Sequence, residues 1–159
     1  MWEVLKDVPD DEYSIVRRYC IGSVASIEQL PSIIQNVPRH FLLFLAVDAT
    51  DIQNVELGKV AKALLQAGTV YLCAWGPDCE RVHDQFDEER DPDEVDNCVV
   101  MTTWHSKDSL SDALWFFVNC AFPADGFQAD SFGWVAVSVG NNEWESEIRA
   151  NLFPKYPVR

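Results

Sequence analysis

Four short apolar runs constrain this chain more than anything else in it: FLLFLAV at 41–47, VYLCAW at 70–75, CVVMTTW at 98–104 and GWVAVSV at 133–139. Each is nearly continuous rather than alternating, the pattern of a strand covered on both faces. The stretches between them are long enough to cross back over a sheet as helices, so the strands are expected to run parallel. Helical periodicity supports this. Leu57, Val60, Ala61, Leu64 and Leu65 share one face, and Gly68 stands where a left-handed cap ends a helix. A second helix is predicted to begin at Gly76-Pro77 and to stack Cys79, Val82 and Phe86 under an acidic outer face. A third starts from 106–109 and carries Leu110, Ala113, Leu114, Phe117, Val118 and Ala121 up to Pro123. The fourth opens on Asn141 or Asn142, repeats Trp144, Ile148 and Leu152, and runs into a tail broken by two prolines.

The first forty residues fit this rhythm less well. YSIVRRYCIGSVAS predicts an added edge strand, and IEQLPSIIQNV a connecting helix interrupted by Pro31. Residues 87–97 read as an exposed acidic loop. The expectation is one α/β domain over residues 1–159, with its βα core at 41–153. Its architecture is a Rossmann-like three-layer sandwich around a mainly parallel sheet of four to five strands with an extra N-terminal edge strand.

Composition narrows the function classes. Twelve basic against twenty-six acidic residues give a formal charge of −14, which opposes phosphate backbones and anionic lipid surfaces, so neither nucleic acid nor membrane is expected as a partner. Residues 77–96 alone hold ten acids and two arginines, a local net of −8, which predicts an acidic patch carrying Asp84, Asp87, Glu88 and Glu89. The start, MWEVLKDVPDD, has no basic and apolar leader, and no apolar run approaches the ~20 residues of a membrane span, which points to the cytoplasm. Five cysteines without a C-x-x-C pair read as reduced thiols.

In an open parallel sheet the loops after the strands' carboxyl ends share one crevice. That rim collects Asp48, Thr50 and Asp51, then Trp75, Gly76, Asp78 and Cys79, then Thr103, Trp104 and His105, and finally Ser138, Gly140, Asn141 and Asn142. Trp75, Gly76, Thr103, Trp104 and Asn141 are the candidate ligand-binding residues, although polar residues here also cap helices and end strands. Cys79 in a first helical turn, with His105 and Asp48, would make a Cys-His-Asp arrangement; against it, Asp78 and Glu80 disfavour a thiolate and Val82 and Phe86 make that helix face core. Cys79 and His83, four apart, offer a single metal-ligand pair where zinc sites use two, so no metal is assigned. DATDIQNVE has no glycine to admit a phosphate, and no cofactor is expected.

Two segments, VYLCAWGPDCERVHDQFDEE at 70–89 and VVMTTWHSKDSLSDALWFF at 99–117, share the pattern A-W-G-x-x-C followed by T-T-W-H. In these the chain resembles an uncharacterised family of small bacterial proteins, a domain of unknown function, over about residues 41–120. The resemblance implies a bacterial, single-domain, Rossmann-like protein and directs attention to Trp75, Gly76, Cys79, Thr103, Trp104 and His105, with no activity attached. Three readings stand. An acidic protein-binding module, such as an immunity or antitoxin-type inhibitor of a basic toxin or enzyme, is favoured by charge and by aromatic anchors such as Trp115, Trp144 or Phe127. The alternative is a small enzyme or small-molecule-binding domain using the Asp48, Cys79 and His105 rim. A self-associating scaffold is the third.

Overall fold

The four apolar runs lie side by side in one sheet, and the computed structural model describes residues 1–153 around it. The chain starts with a hairpin, β1 (Trp2–Asp10) and β2 (Ile15–Val24), followed by a single 3-10 turn and the short α1 (Leu30–Ile33). Then come β3 (Phe41–Ala46), α2 (Asn54–Ala67), β4 (Thr69–Trp75), α3 (Cys79–Glu89), β5 (Met101–Trp104), α4 (Leu110–Asn119), β6 (Ser131–Val139) and α5 (Asn142–Asn151). The fold is mixed α/β, with six strands among the described residues in the order β1-β2-β6-β3-β4-β5. Only β1 and β2 pair antiparallel; every other neighbouring pair is parallel.

Strand alternation sends side chains to two separate cores. Phe41, Leu43 and Leu45 of β3 join Leu57, Leu64, Val82 and Phe86 of α2 and α3. Leu42, Phe44 and Ala46 join Leu114 and Phe117 of α4 and Ile148 of α5. Being apolar on both faces, β3 is fully buried, which explains its unbroken run of large residues. Gly68 ends α2 at φ 121, as the sequence predicts.

The N-terminal region differs from the sequence expectation. Residues 15–24 are not the edge strand but lie one position in, between β1 and β6, and residues 2–10 form the edge. Two adjacent arginines can occupy this inner strand because each has built partners. Arg17 donates to Asp10 (2.9 Å) and to the Val118 carbonyl (2.9 Å), with its guanidinium 4.1 Å over the Trp134 ring. Arg18 makes a two-point pair with Asp7 (2.8 and 3.0 Å) and reaches the Asn36 carbonyl. The register irregularity between Val4 and Lys6, together with Pro9, blunts β1 against further pairing.

Four boundaries also move. Pro31 sits in the first turn of α1, where its missing N–H costs nothing, so it opens the helix rather than interrupting it. Asp78 adopts a left-handed conformation (φ 62), which delays α3 to Cys79 and leaves Pro77 outside it. Residues 96–98 form a 3-10 turn, so β5 begins only at Met101; α3 runs through Glu89 into the stretch expected to be loop. The proline-broken tail from 154 lies outside the described residues. Among those described, no helix is long and apolar enough to cross a membrane.

Candidate functional site

The carboxyl ends of β3 and β4 are locked together by backbone. The Val47 N–H donates to the Trp75 carbonyl and the Ala49 N–H to that of Pro77, both at 3.0 Å. Such close approach requires Gly76: at φ 117, a β-carbon there would stand 2.2 Å from the Val47 oxygen. Arg81 of α3 completes the lock by donating to the carbonyls of Ile52 (2.6 Å) and Ala49, to Asn54 Oδ1 (2.9 Å) and to Asp78 (2.9 Å). A polar depression of about 370 Å³ lies here, lined by Thr50, Gln53, Asn54, Asp78 and Arg81 among others. Arg81, the one cation among its described lining residues, is already saturated by these acceptors.

The second motif builds a chain of hydrogen bonds on the α4 face. Thr103 Oγ1 lies 2.9 Å from His105 Nε2, and His105 Nδ1 lies 2.9 Å from Asp108 Oδ2. A carboxylate only accepts, so Nδ1 carries a proton; in the neutral imidazole, Nε2 then accepts from the threonine hydroxyl. His105 is 8 % exposed and its ring packs 4.9 Å from Phe116. The indole N–H of Trp75 donates to the Asp108 carbonyl at 2.9 Å, and Trp75 meets Trp144 edge-on at 5.1 Å. Hydroxyl, imidazole and carboxylate thus stand in the order used to deprotonate a hydroxyl.

The structure does not bring the side chains of Asp48, Cys79 and His105 together. Asp48 accepts from the Thr50 hydroxyl (2.6 Å) and N–H (3.0 Å), which holds its carboxyl below the usual range. Cys79 lies in the α2/α3 core at 1 % exposure, while the His105 ring is on the opposite face of the sheet. Burial raises the Cys79 thiol, although the backbone N–H groups of His105, Cys79 and Gly76 pull the other way. Cys20 and Cys73 are pushed up to about 12 by burial. Asn141 spends its side chain capping α5, accepting from the Trp144 N–H at 3.0 Å. Ser138 is wholly buried, with its hydroxyl unpartnered among the described residues. Asp108 and Arg81 were missed by sequence reasoning. The His-x-x-Asp spacing after T-T-W-H was the available signal for Asp108; Arg81 gave none beyond its i,i+3 relation to Asp78.

On the α3 face of the same strand, Trp104 is 43 % exposed and its ring lies 4.5 Å from that of His83. His83 also meets Asp84 (2.9 Å) and Asp87 (3.4 Å), and Asp87 accepts from the Thr102 hydroxyl at 2.6 Å. Glu80, Asp84, Asp87 and Glu88 follow one another at helical spacing, so one outer stripe of α3 is acidic. Arg90 reaches back to Asp87, Glu94 and the Val100 carbonyl. Glu89 points elsewhere, toward Gly58 of α2. Among the described residues, no three His, Cys, Asp or Glu side chains are grouped to hold a metal ion.

A family model for a domain of unknown function (DUF7684) matches residues 19–154. No curated protein matches the sequence. Among solved structures, that of a UDP-N-acetylmuramoyl-L-alanyl-D-glutamate–2,6-diaminopimelate ligase is similar at 15 % identity and a TM-score of 0.48. The alignment covers 92 % of this chain and 30 % of the ligase chain, so this chain spans less than a third of that protein's length.

Proposed function

The chain belongs to the DUF7684 family, and from that premise we propose that it is an acidic protein-binding module on a Rossmann-like three-layer frame, of the kind that captures and inhibits a basic toxin or enzyme. The observation that carries this reading is the exposed Trp104 beside the acidic stripe of α3. An aromatic anchor rimmed by like charges suits a cationic partner: the ring supplies buried area, and the carboxylates steer the encounter. The sheet edge supports it too. Because the His105 N–H points to the Ala74 carbonyl, the alternate N–H groups of Thr102 and Trp104 turn away from β4, toward the open side of β5. The protein belongs in the cytoplasm on this reading, with its five thiols reduced.

Affinity capture from the native host tests it, with wild type beside a Trp104→Ala, Asp84→Asn, Glu88→Gln variant at low and high salt. A basic protein should bind wild type at low salt, leave at high salt, and bind the variant at least about tenfold more weakly once purified. Equal retention by the variant would remove α3 and Trp104 from the interface. If no basic protein is retained at all, the binding-module reading fails.

The Thr103, His105 and Asp108 chain favours a second reading, a small enzyme with the Thr103 hydroxyl as nucleophile and His105 as base. A fluorophosphonate probe reports on it directly: the threonine oxygen bonds phosphorus, fluoride leaves, and the hydroxyl proton passes to Nε2. Mass spectrometry should find the adduct at Thr103 in wild type and not in His105→Asn. Absence of the adduct in wild type would make the chain a structural clasp. His105→Asn should in either case cost about 1–3 kcal/mol of stability by leaving buried partners unmatched.

A further inference from the structure

A second depression, of about 530 Å³, lies at the opposite pole of the sheet, where the β1–β2 turn meets the connection from α4 to β6. It is lined by Tyr13, Phe122, Phe127 and Phe132 and by Asp125 and Asp130, and among the described residues that line it none is lysine, arginine or histidine. We infer that this cleft binds an organic cation, a guanidinium or alkylammonium group seated on the rings of Tyr13 and Phe127 and paired with the two aspartates. The inference is independent of the α3 interface.

The cleft is built by backbone rather than by side-chain accident. The Gly126 N–H donates to the Asn97 carbonyl (2.6 Å) and the Phe127 N–H to that of Ala124 (3.0 Å), which fixes the turn bearing Asp125 and Phe127. The Val16 N–H donates to the Asp130 carbonyl at 2.8 Å and fixes the other wall. Phe122 stacks on Tyr13 at 4.2 Å and tilts against Phe132 at 6.4 Å, so these rings hold one another in place.

Ring faces attract cations, carboxylates complete the pairing, and an anion would meet two like charges. An uncharged apolar ligand would cover the carboxylates without satisfying them. The fold already uses this chemistry from the inside, since the Arg17 guanidinium lies 5.9 Å from the Phe122 ring and 4.1 Å from that of Trp134. Arg17 itself is held by Asp10 and the Val118 carbonyl, behind the cleft. His40, which packs on Phe127 at 5.1 Å, is shifted toward its neutral form by burial and by the charge of the neighbouring Arg39. The volume is within the usual range for a small-ligand site.

The test is a titration of the full chain followed by NMR, with butylguanidinium, butanol and butyrate as probes that share a four-carbon chain and differ in charge. Saturable shifts at Tyr13, Phe122, Phe127, Asp125 and Asp130 are expected with butylguanidinium, and binding at least roughly tenfold weaker with the other two. The exposed pair Asp125→Asn, Asp130→Asn should weaken butylguanidinium binding roughly tenfold while leaving the remaining amide spectrum in place. Agmatine and the tripeptide Gly-Arg-Gly separate the two sources of such a group. Tighter binding of agmatine indicates a free small molecule; tighter binding of the peptide indicates an arginine side chain of a partner. Absent shifts, butanol shifts equal to those of butylguanidinium, or undiminished binding by the double variant would each overturn the site.

Discussion

Replacing Gly76 with alanine is expected to lower stability by about 3–5 kcal/mol and the melting temperature by roughly 10 °C. Two costs combine. The residue sits at φ 117, which side-chain-bearing residues rarely adopt, and the new β-carbon would lie 2.2 Å from the Val47 oxygen and 3.0 Å from its carbonyl carbon. Neither strand end can retreat cheaply, because the bonds from Val47 to Trp75 and from Ala49 to Pro77 hold both in place. Gly58→Ala is the matched control. There the Glu89 carboxylate stands 3.3 Å away and Gln85 Oε1 3.5 Å, both far ends of flexible side chains, and alanine favours α2, so the change should be neutral or stabilising by up to about 1 kcal/mol. Thermal and urea denaturation of both variants decide the matter. A Gly76→Ala protein within about 1 kcal/mol of wild type would mean that the two loops do not meet at this glycine.

The second large effect is expected at Arg81, where methionine keeps the length of the stem but removes the charge. Its guanidinium satisfies the carbonyls of Ala49 and Ile52 and joins Asn54 to Asp78, so the loop leaving β3 is tied to the start of α3 through one side chain. Losing it strands partly buried acceptors, at a cost of about 2–4 kcal/mol. Arg81→Lys should recover only part, because one ammonium cannot span several separated acceptors. Hydrogen exchange should localise the damage to residues 47–54 and the first turn of α3. Uniform loss of protection across the sheet would contradict that assignment.

The sequence made the parallel half of the sheet legible because β3, β4 and β6 are apolar on both faces, a pattern that a half-exposed strand does not show. Helices α2, α4 and α5 followed from their stripes and caps, as with Ser109 accepting from the Asp112 N–H. The hairpin was harder to read for a physical reason. Arg17 and Arg18 look like surface residues until their partners are known, and Asp10, Asp7, Val118 and Asn36 are distant in the chain or on another strand. At the candidate site, strand ends brought Trp75, Thr103 and His105 to one rim, yet period-two alternation decides which face each side chain joins. One residue of difference separates Trp104, against His83 on α3, from His105, against Phe116 on α4. Cys79 and His105 therefore fall on opposite faces, and Asp108 takes the place at the imidazole that was expected of Asp48.

The position of β6 has a consequence for how the molecule comes into being. It is the last described strand to be synthesised, yet it lies between β2 and β3 and pairs with both along its length. Until residues 131–139 emerge from the ribosome, the nascent chain can hold only two separate half-sheets, each ending in a raw, strongly apolar border. The long-range closure that joins them must wait until that strand has been translated. Through that interval the growing polypeptide is exposed to premature association and depends on quick delivery of one nine-residue strand to its slot.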